Sequence, residues 1–581
     1  MGAAVVACMV LAVSASAQIT TGTVAGTVKD AQGGVVPGAT IVLISATKGT
    51  KSAPVVSGSS GNYVFPNVTP DTYIVEATLE GFKTSRRPDI RVSGGDRVAL
   101  PVLTLEIGGA SETVNVSAEA ALVQSQSGER SFAVTTEQIE NLPINRGNFT
   151  SLTAFTPGVI AGGAGGTRLG GTSQNNIMMD GVSAMDTGNN GQMLNMNIES
   201  IGEVKILTQG YQAEYGRSSG LQITAVTKSG TNQYRGSLYS VFEDSDWNAT
   251  SWVRERNGDP TPKTSQKTLG YTIGGPVGKP GGSNKLFFFY AHEYRPTTSA
   301  INGGNTIRLR VPTALERAGD FSQSLDNNGA PVPALRDPNG GTFPNNQIPA
   351  GRLYNVGLAV LNRYPLPNIE QASGANYNYE IQTPTVDDLV QQPAIRLDYQ
   401  LSSKLRVTGK YSGQRSRPLV RPGLIAGFTD VLTPYPYITN YAATINYTMN
   451  PTTFIEGTYG FIRNELTGGN ENGVLVNESA NRLNGLADFP LLYPDAGVVD
   501  PRYYALEVMQ DVNPAFWDGT RMNLPPTFSW GGRVGPDPPN QRYPGWLNIN
   551  RTQDVAISLT KVMGRHTFKT GFYNNHSFKA Q

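Results

Sequence analysis

The second half of the chain alternates apolar and polar side chains over strand-length stretches. Ile395, Leu397, Tyr399 and Leu401 alternate with Arg396, Asp398 and Gln400; Leu405, Val407 and Tyr411 alternate with Arg406, Thr408 and Lys410; Tyr441, Ala443, Ile445 and Tyr447 alternate with Thr444, Asn446 and Thr448. A period of two belongs to a β-strand with unlike faces. The same rhythm predicts strands at roughly 234–243, 266–275, 285–295, 392–401, 404–414, 437–449, 452–464, 548–561 and 565–577. Their joints differ by parity. Those near Gly278, Ser402-Ser403, Asn450-Pro451 and Gly564 are tight, whereas 244–265, 296–391, 415–436 and 465–547 are extended. The alternation alone fits two folds: a water-soluble body with its apolar face inward, or a cylinder with its apolar face on lipid and its polar face on a lumen. Loop parity favours the cylinder, because transmembrane barrels carry short turns at one rim and long loops at the other. Tilted strands of about 9 to 11 residues suffice to cross a bilayer.

Upstream the pattern changes twice. From Ile19 to about Leu105 short strands recur between turns: Val24 and Val28, a turn at Asp30-Ala31-Gln32-Gly33-Gly34, then Ala39 to Ile44, Gly61 to Phe65, Asp71 to Ala77 and Gly81-Phe82-Lys83. Such spacing predicts a β-sandwich. Residues 108–118 (GGASETVNVSA) read as an extended linker. From Glu119 the character is mixed. Thr135 to Asn141 opens a short helix capped by Thr135 or Thr136. Ile177-Met178-Met179 reads as a strand entering an Asp180-Gly181 turn. Glu199 to Phe242 reads as two short strands, a glycine-rich joint, a half-buried strand with Leu221, Ile223 and Ala225 against Gln222 and Thr224, a turn at 228–232, and a longer strand.

Composition narrows the chemistry. Lys plus Arg number 46 against 45 for Asp plus Glu, so no general attraction to nucleic acid exists. Residues 3–17 form a short apolar leader ending in Ala15-Ser16-Ala17 before Gln18. It is shorter than the roughly 20 apolar residues of a membrane helix, and no later stretch is long enough either, so any crossing is made by a closed barrel. The single cysteine, Cys8, lies in the leader, and His292, His566 and His576 are too scattered for a metal site. HExxH, GxSxG and Cys–His pairs are absent, the stretch 162–171 (GGAGGTRLGG) lacks a phosphate-loop ending, and Asp326-Asn327-Asn328-Gly329 lacks the other ligands of a calcium loop. The expectation is a non-enzyme with no cofactor. Trp247, Trp252, Trp517, Trp530 and Trp546 sit in the long loops, either to stack on sugars or peptides or, the reading favoured, to pack loops and mark the membrane interface.

Several segments match one family in order: NNIMMDGVS (175–183), YQAEYGRSSG (211–220), VTKSGTN (226–232), GGPVG (274–278), KLFFFYAHEYR (285–295), RVPTALERAGDFS (310–322) and FPNNQIPAGRL (343–353). The chain resembles the Oar-type TonB-dependent outer-membrane receptors, which carry an N-terminal carboxypeptidase regulatory-like domain. The resemblance implies a mainly β protein: signal peptide 1–17, an immunoglobulin-like β-sandwich over 18–107, a TonB-box-like linker over 108–118, an α/β plug domain over 119–230, and part of a large antiparallel transmembrane β-barrel over 231–581. It implies TonB contact at Glu112, Thr113, Val114, Asn115 and Val116, and plug motifs at Asp180, Gly181, Tyr215 and Gly216. The implied partners are TonB with its inner-membrane energising proteins, an extracellular solute such as an oligosaccharide or peptide, and outer-membrane lipid. The implied location is the outer membrane, with the N-terminal domain periplasmic. Nine strands fall short of the roughly 22 of plugged transporters, so a C-terminally truncated product is expected. The competing reading is a secreted or surface-associated adhesive β-protein without transport.

Overall fold

The structure is a computed structural model that describes residues 21–109, 113–115, 128–141, 149–160, 168–169, 175–186, 191–211, 215–216, 219–300, 306–362, 364–372, 374–382, 384–416, 419–422, 429–432, 437–467, 547–563 and 566–580. The leader with Cys8, Glu112, Val116, most of the glycine-rich stretch 162–171, and Trp517, Trp530 and Trp546 lie outside the described residues.

The first body is a sandwich of short strands: β1 (Gly22–Asp30), β2 (Thr40–Ser45), β3 (Val55–Val56), β4 (Asn62–Val68), β5 (Asp71–Thr78), β6 (Thr84–Val92), β7 (Arg97–Ala99), β8 (Leu103–Leu105) and β9 (Thr113–Asn115). One sheet runs β4-β1-β7, with β8 also on β1; the other runs β3-β2-β5-β6-β9. The inward residues of both sheets, Val24, Val28, Ile41, Leu43, Tyr63, Phe65, Val75, Ile90, Leu103 and Leu105 among them, close on a core of their own. The Asp30 turn forms because its carboxylate accepts the amides of Gln32 (3.0 Å) and Gly34 (2.7 Å).

The second body contains β10 (Arg130–Thr135), β11 (Val159–Ile160), β12 (Arg168–Leu169), β13 (Asn176–Met179), β14 (Val182–Ser183), β15 (Met185–Asp186), β16 (Gly191–Gln192), β17 (Ile201–Gln209) and β18 (Gln222–Thr227). Its main sheet runs β10-β17-β18-β13-β14, with β13 parallel to β18. A helix at Thr136–Asn141 follows β10, and Thr135 exchanges hydrogen bonds with Gln138 at its start (3.0 and 3.4 Å). Two expectations change here. Residues 201–209 form one strand rather than two, because a register shift between Ile201 and Glu203 absorbs the break in alternation as a bulge. The strand at 222–227 is buried on both faces rather than one. It lies between β17 and β13, and its polar Gln222 is satisfied by Asn176 at 3.0 Å.

The third body is a wall of nine antiparallel strands: β19 (Arg235–Asp244), β20 (Thr264–Pro276), β21 (Leu286–Ala300), β24 (Thr385–Gln400), β25 (Leu405–Ser416), β28 (Tyr437–Asn450), β29 (Thr453–Thr467), β30 (Leu547–Met563) and β31 (His566–Ala580), hydrogen-bonded in that order. All nine coincide with strands read from the alternation. Two antiparallel strand pairs lie in the long connections, β22 (Thr306–Leu309) with β23 (Tyr379–Gln382) and β26 (Leu419–Pro422) with β27 (Thr429–Leu432). Among the described residues β19 and β31 are not paired to one another. The first long loop is itself folded. Thr313 and Glu316 form a reciprocal cap on the helix Ala314–Arg317, and Glu316 also accepts from Ser324 (2.7 Å) and faces Arg310 (3.4 Å) in a buried cluster.

The wall is inverted relative to a water-soluble sheet. Leu397, Tyr441 and Ile445 are 43%, 50% and 49% exposed, while Arg396, Asp398 and Thr444 between them are 6%, 2% and 4% exposed. Leu269, Ile273, Tyr459, Ile557 and Phe572 continue the outer apolar surface, and Thr272, Glu456, Asp554 and Ser558 continue the inner polar one. Only a surrounding apolar solvent makes that arrangement favourable. Replacing Ile445 with Arg should therefore cost about 2–4 kcal/mol in a bilayer if the site lies near the midplane, less toward either interface. Equilibrium unfolding of the full-length protein from phospholipid vesicles measures it, and an unchanged midpoint would place that face elsewhere than in lipid.

Candidate functional site

The plug meets the wall through a chain of buried charges. Asp180 and Gly181 have φ of 53° and 83°, the left-handed pair that a type I′ hairpin needs between β13 and β14. This turn aims the Asp180 carboxylate in two directions. It accepts from the Thr227 amide (2.9 Å) and hydroxyl (3.1 Å) at the end of β18, and it pairs with Lys410 of β25 at 2.6 Å. Beside it on β24, Arg396 donates to the Thr227 carbonyl (2.8 Å) and holds Asp398 with two hydrogen bonds of 2.9 and 3.0 Å. Asp398 in turn accepts from Ser229 (2.5 Å) and Thr408 (3.0 Å), and lies 3.5 Å from Lys48 of the sandwich. Every charge in this chain is buried next to an opposite charge, the condition under which buried ions are tolerated.

A second seat lies under β14. Gly460 of β29 has no side chain there because Val182 occupies the space; a Cβ at that position would stand 2.2 Å from Val182 Cγ1. The Ser183 amide donates to Asp554 of β30 (2.7 Å), whose other oxygen is held by Tyr573 and Asn575 of β31. Farther along, Asp186 faces Lys579 (3.7 Å) and Asn550 (3.4 Å), and Gln392 donates to the Asn195 carbonyl (3.2 Å). Tyr239 reaches over Gly270 to donate to Glu293 (2.9 Å) and Asn197 (3.0 Å). Between these polar contacts Phe289, Ala291, Ala394, Ile438 and Ile462 of the wall join the plug's apolar core.

The four plug-motif residues do not form one cluster. Asp180 and Gly181 stand at the wall. The Gly216 carbonyl accepts from Gln222 (3.0 Å) and Asn176 (3.5 Å), fastening the preceding loop to β18 and β13. Tyr215 lies against Gly95 of the sandwich, where a Cβ would come within 2.8 Å of its hydroxyl. Lys410, Arg396, Asp398, Gly460 and Asp554 were not singled out from sequence. Their signal was present: each stands on the polar phase of an alternating strand.

Of the expected TonB-contact residues, Thr113, Val114 and Asn115 form β9, which pairs in parallel with Thr84, Ser85 and Arg86 of β6. The linker is therefore not free on both sides at this point. One edge of the strand is occupied by the sandwich, and the other is, among the described residues, the outer edge of the five-stranded sheet. The sandwich also touches the plug, through Ser93 to Glu203 (2.7 Å) and Lys205 to Asp96 (2.9 Å). Burial pushes the Glu203 carboxyl above its ordinary value against the pull of Ser93. Trp247 and Trp252 are 72% and 68% exposed, so neither packs its loop, and Trp252 lies under the Arg256 guanidinium at 5.3 Å. At Asp326 the carboxylate accepts the amides of Asn328 and Ala330, both at 2.8 Å, which makes that segment a turn.

Removing one partner of a buried ion pair leaves the other uncompensated, so Lys410→Met should loosen the plug seat by about 3–5 kcal/mol. Hydrogen exchange of the full-length protein should show faster exchange over 177–183 and 222–227, with partial recovery when Asp180→Asn is added. Unchanged protection in Lys410→Met would show that the pair does not hold the plug.

Three family matches follow the three bodies. Residues 226–580 match the family described as "Outer membrane beta barrel domain", residues 123–220 the "TonB-dependent Receptor Plug Domain", and residues 23–106 the "Carboxypeptidase regulatory-like domain". The TonB-dependent transporter Oar of Myxococcus xanthus is 29% identical over 320 residues, which take in 49% of this chain and 29% of that protein. Among solved structures, the outer membrane transporter YddB from Escherichia coli matches with a TM-score of 0.39 at 11% identity, over 76% of this chain and 47% of that one. A mutant of the ferric enterobactin receptor PfeA from Pseudomonas aeruginosa matches with a TM-score of 0.37 at 10% identity, over 77% and 48%. The chain thus spans under half the length of each of these relatives. These are receptors and transporters rather than enzymes. The chain belongs to the outer membrane beta-barrel family and is located in the outer membrane, with regions that match the plug domain of TonB-dependent receptors and the carboxypeptidase regulatory-like domain.

Proposed function

We propose that this receptor moves a bulky solute, an oligosaccharide or a peptide, across the outer membrane, with the plug released when TonB pairs with the strand around Glu112, Thr113, Val114, Asn115 and Val116. In this reading residues 18–107 are the periplasmic sandwich, 108–118 the coupling linker, 119–230 the plug and 231–581 the wall. The observation that carries it is the seating of the plug against the inward face of an inverted wall by buried ion pairs. Breaking one such pair without replacement costs about 3–5 kcal/mol, several times thermal energy, so a seated plug stays seated until work is done on it. The proton gradient of the inner membrane, delivered through TonB and its energising proteins, supplies that work.

No covalent step is involved. The solute binds at the long loops and the plug face beneath them, and the exposed Trp247 and Trp252 are available to stack on it. TonB adds a strand to the outer edge of β9, where main-chain hydrogen bonds supply affinity. Tension on that strand reaches the plug through the segment leading to β10. An adhesive protein without transport would give no role to a plug fixed to the wall by charges.

The test is capture by the purified C-terminal domain of TonB. A peptide covering 108–120 and the full-length receptor should both be retained, and Val114→Pro should abolish retention by removing a main-chain donor from the strand. Equal retention of the proline variant would overturn the assignment of the coupling strand.

A further inference from the structure

The sandwich reaches past the plug to the wall itself. The turn after β2 inserts Lys48 between Asp398 and the face of Phe287, with its ammonium 3.5 Å from the carboxylate and 5.6 Å from the ring centroid. The Thr47 carbonyl accepts the Asn232 amide (2.8 Å), Thr21 donates to Glu456 (2.7 Å), and Arg406 donates to Thr69 (2.9 Å). These contacts span the start of the wall and β24, β25 and β29. Apart from the Phe287 ring these partners are polar, and the apolar core of the sandwich shares no residue with the core common to plug and wall. A body whose apolar core is its own separates without opening that core.

The charges are arranged to survive that separation. Lys48 is a third cation beside Arg396 and Lys410, whereas the carboxylates of the chain are Asp180 and Asp398. If Lys48 withdraws, Asp398 keeps both hydrogen bonds from Arg396 and Asp180 keeps Lys410. Lys48 leaves together with Asp71 of its own domain, whose carboxylate is held by Ser45 and Thr47 and attracts the ammonium. Arg396 and Arg406 repel Lys48 in the docked state. The plug contact follows the same rule: Lys205 leaves Asp96 but retains Glu129 of the plug at 3.9 Å.

We infer that the N-terminal sandwich is a detachable clamp, bolted to the wall by Lys48 and to the plug by Ser93 and Asp96, which undocks as a unit ahead of the plug when the coupling strand is pulled. The inference rests on the coupling role proposed for β9. That strand is the edge of the same sheet that carries β2, so a partner bound to it pulls on the body that holds Lys48. Undocking leaves the ion pairs of the plug seat intact, so the clamp and the plug yield in sequence.

The test uses the full-length receptor in lipid. In Lys48→Met, exchange of the Asn232 amide and thiol labelling of an added Thr47→Cys should each rise by about tenfold, with the Thr227 amide unchanged. Equal rates would overturn the clamp. A second arm, independent of how Lys48→Met folds, is Thr47→Cys with Asn232→Cys, residues already joined by a backbone hydrogen bond. Force spectroscopy through the C-terminal domain of TonB should show a low-force event before plug release, lost on oxidation of the pair and restored on reduction. Identical traces in both redox states sink the inference, whereas failure of TonB to be captured at all sinks the coupling role of β9 instead.

Discussion

A bilayer offers no hydrogen-bond partners, and that lack dictates the rest of this molecule. Each inner strand of the wall satisfies its backbone groups through its two neighbours in the sheet, and the outward side chains are apolar because lipid is their solvent. The polar phase of each strand then has only the interior to face. Arg396, Asp398, Lys410, Glu456 and Asp554 all point that way, and a lumen holding such groups has to be filled either by water or by a polar partner. The plug is that partner. It presents Asp180, Ser183, Asp186 and Asn195 to the wall while keeping its own strands packed on Leu221, Ile223 and Ile206.

Stability and function pull against each other at this interface. Buried ion pairs add little to stability compared with an apolar core of the same size, yet breaking one from a single side is costly. Such contacts suit a part that has to stay in place and also come away whole. A hydrophobic seat of equal area would hold as firmly but would expose apolar surface to a wet lumen when released. Apolar wall residues also contribute: Phe289, Ala291, Ala394, Ile438 and Ile462 join the plug's apolar core beside these polar contacts.

Much of the fold was legible because a period of two is a direct imprint of a strand with unlike faces. Leu397 next to Arg396 and Ile445 next to Thr444 located strands closely, and the uneven joints gave the sense of the wall. Periodicity is blind to which face points outward, and there the exposures of Leu397 and Asp398 decide. Alternation misled where a strand is buried on both sides, as at 222–227, and where a bulge hides continuity, as at Gly202. The Asp180-Gly181 turn was readable from its dipeptide. Its partner Lys410 was not, since the pairing depends on which of several inward cations the plug happens to meet. The parallel seating of Val114 on Ser85 was likewise out of reach, because a three-residue strand carries no register of its own.

The central claim, that the alternating strands stand in lipid with their charged phase turned to the plug, is open to one direct measurement. In a tryptophan-reduced full-length receptor reconstituted into bilayers with brominated acyl chains, single tryptophans would be placed at Leu397, Ile445 or Ile557, and at Thr444 or Ser558 for comparison. The account predicts strong bromine quenching at the first three positions and little at the last two. Quenching that is equal on both phases, or confined to the second, would contradict it.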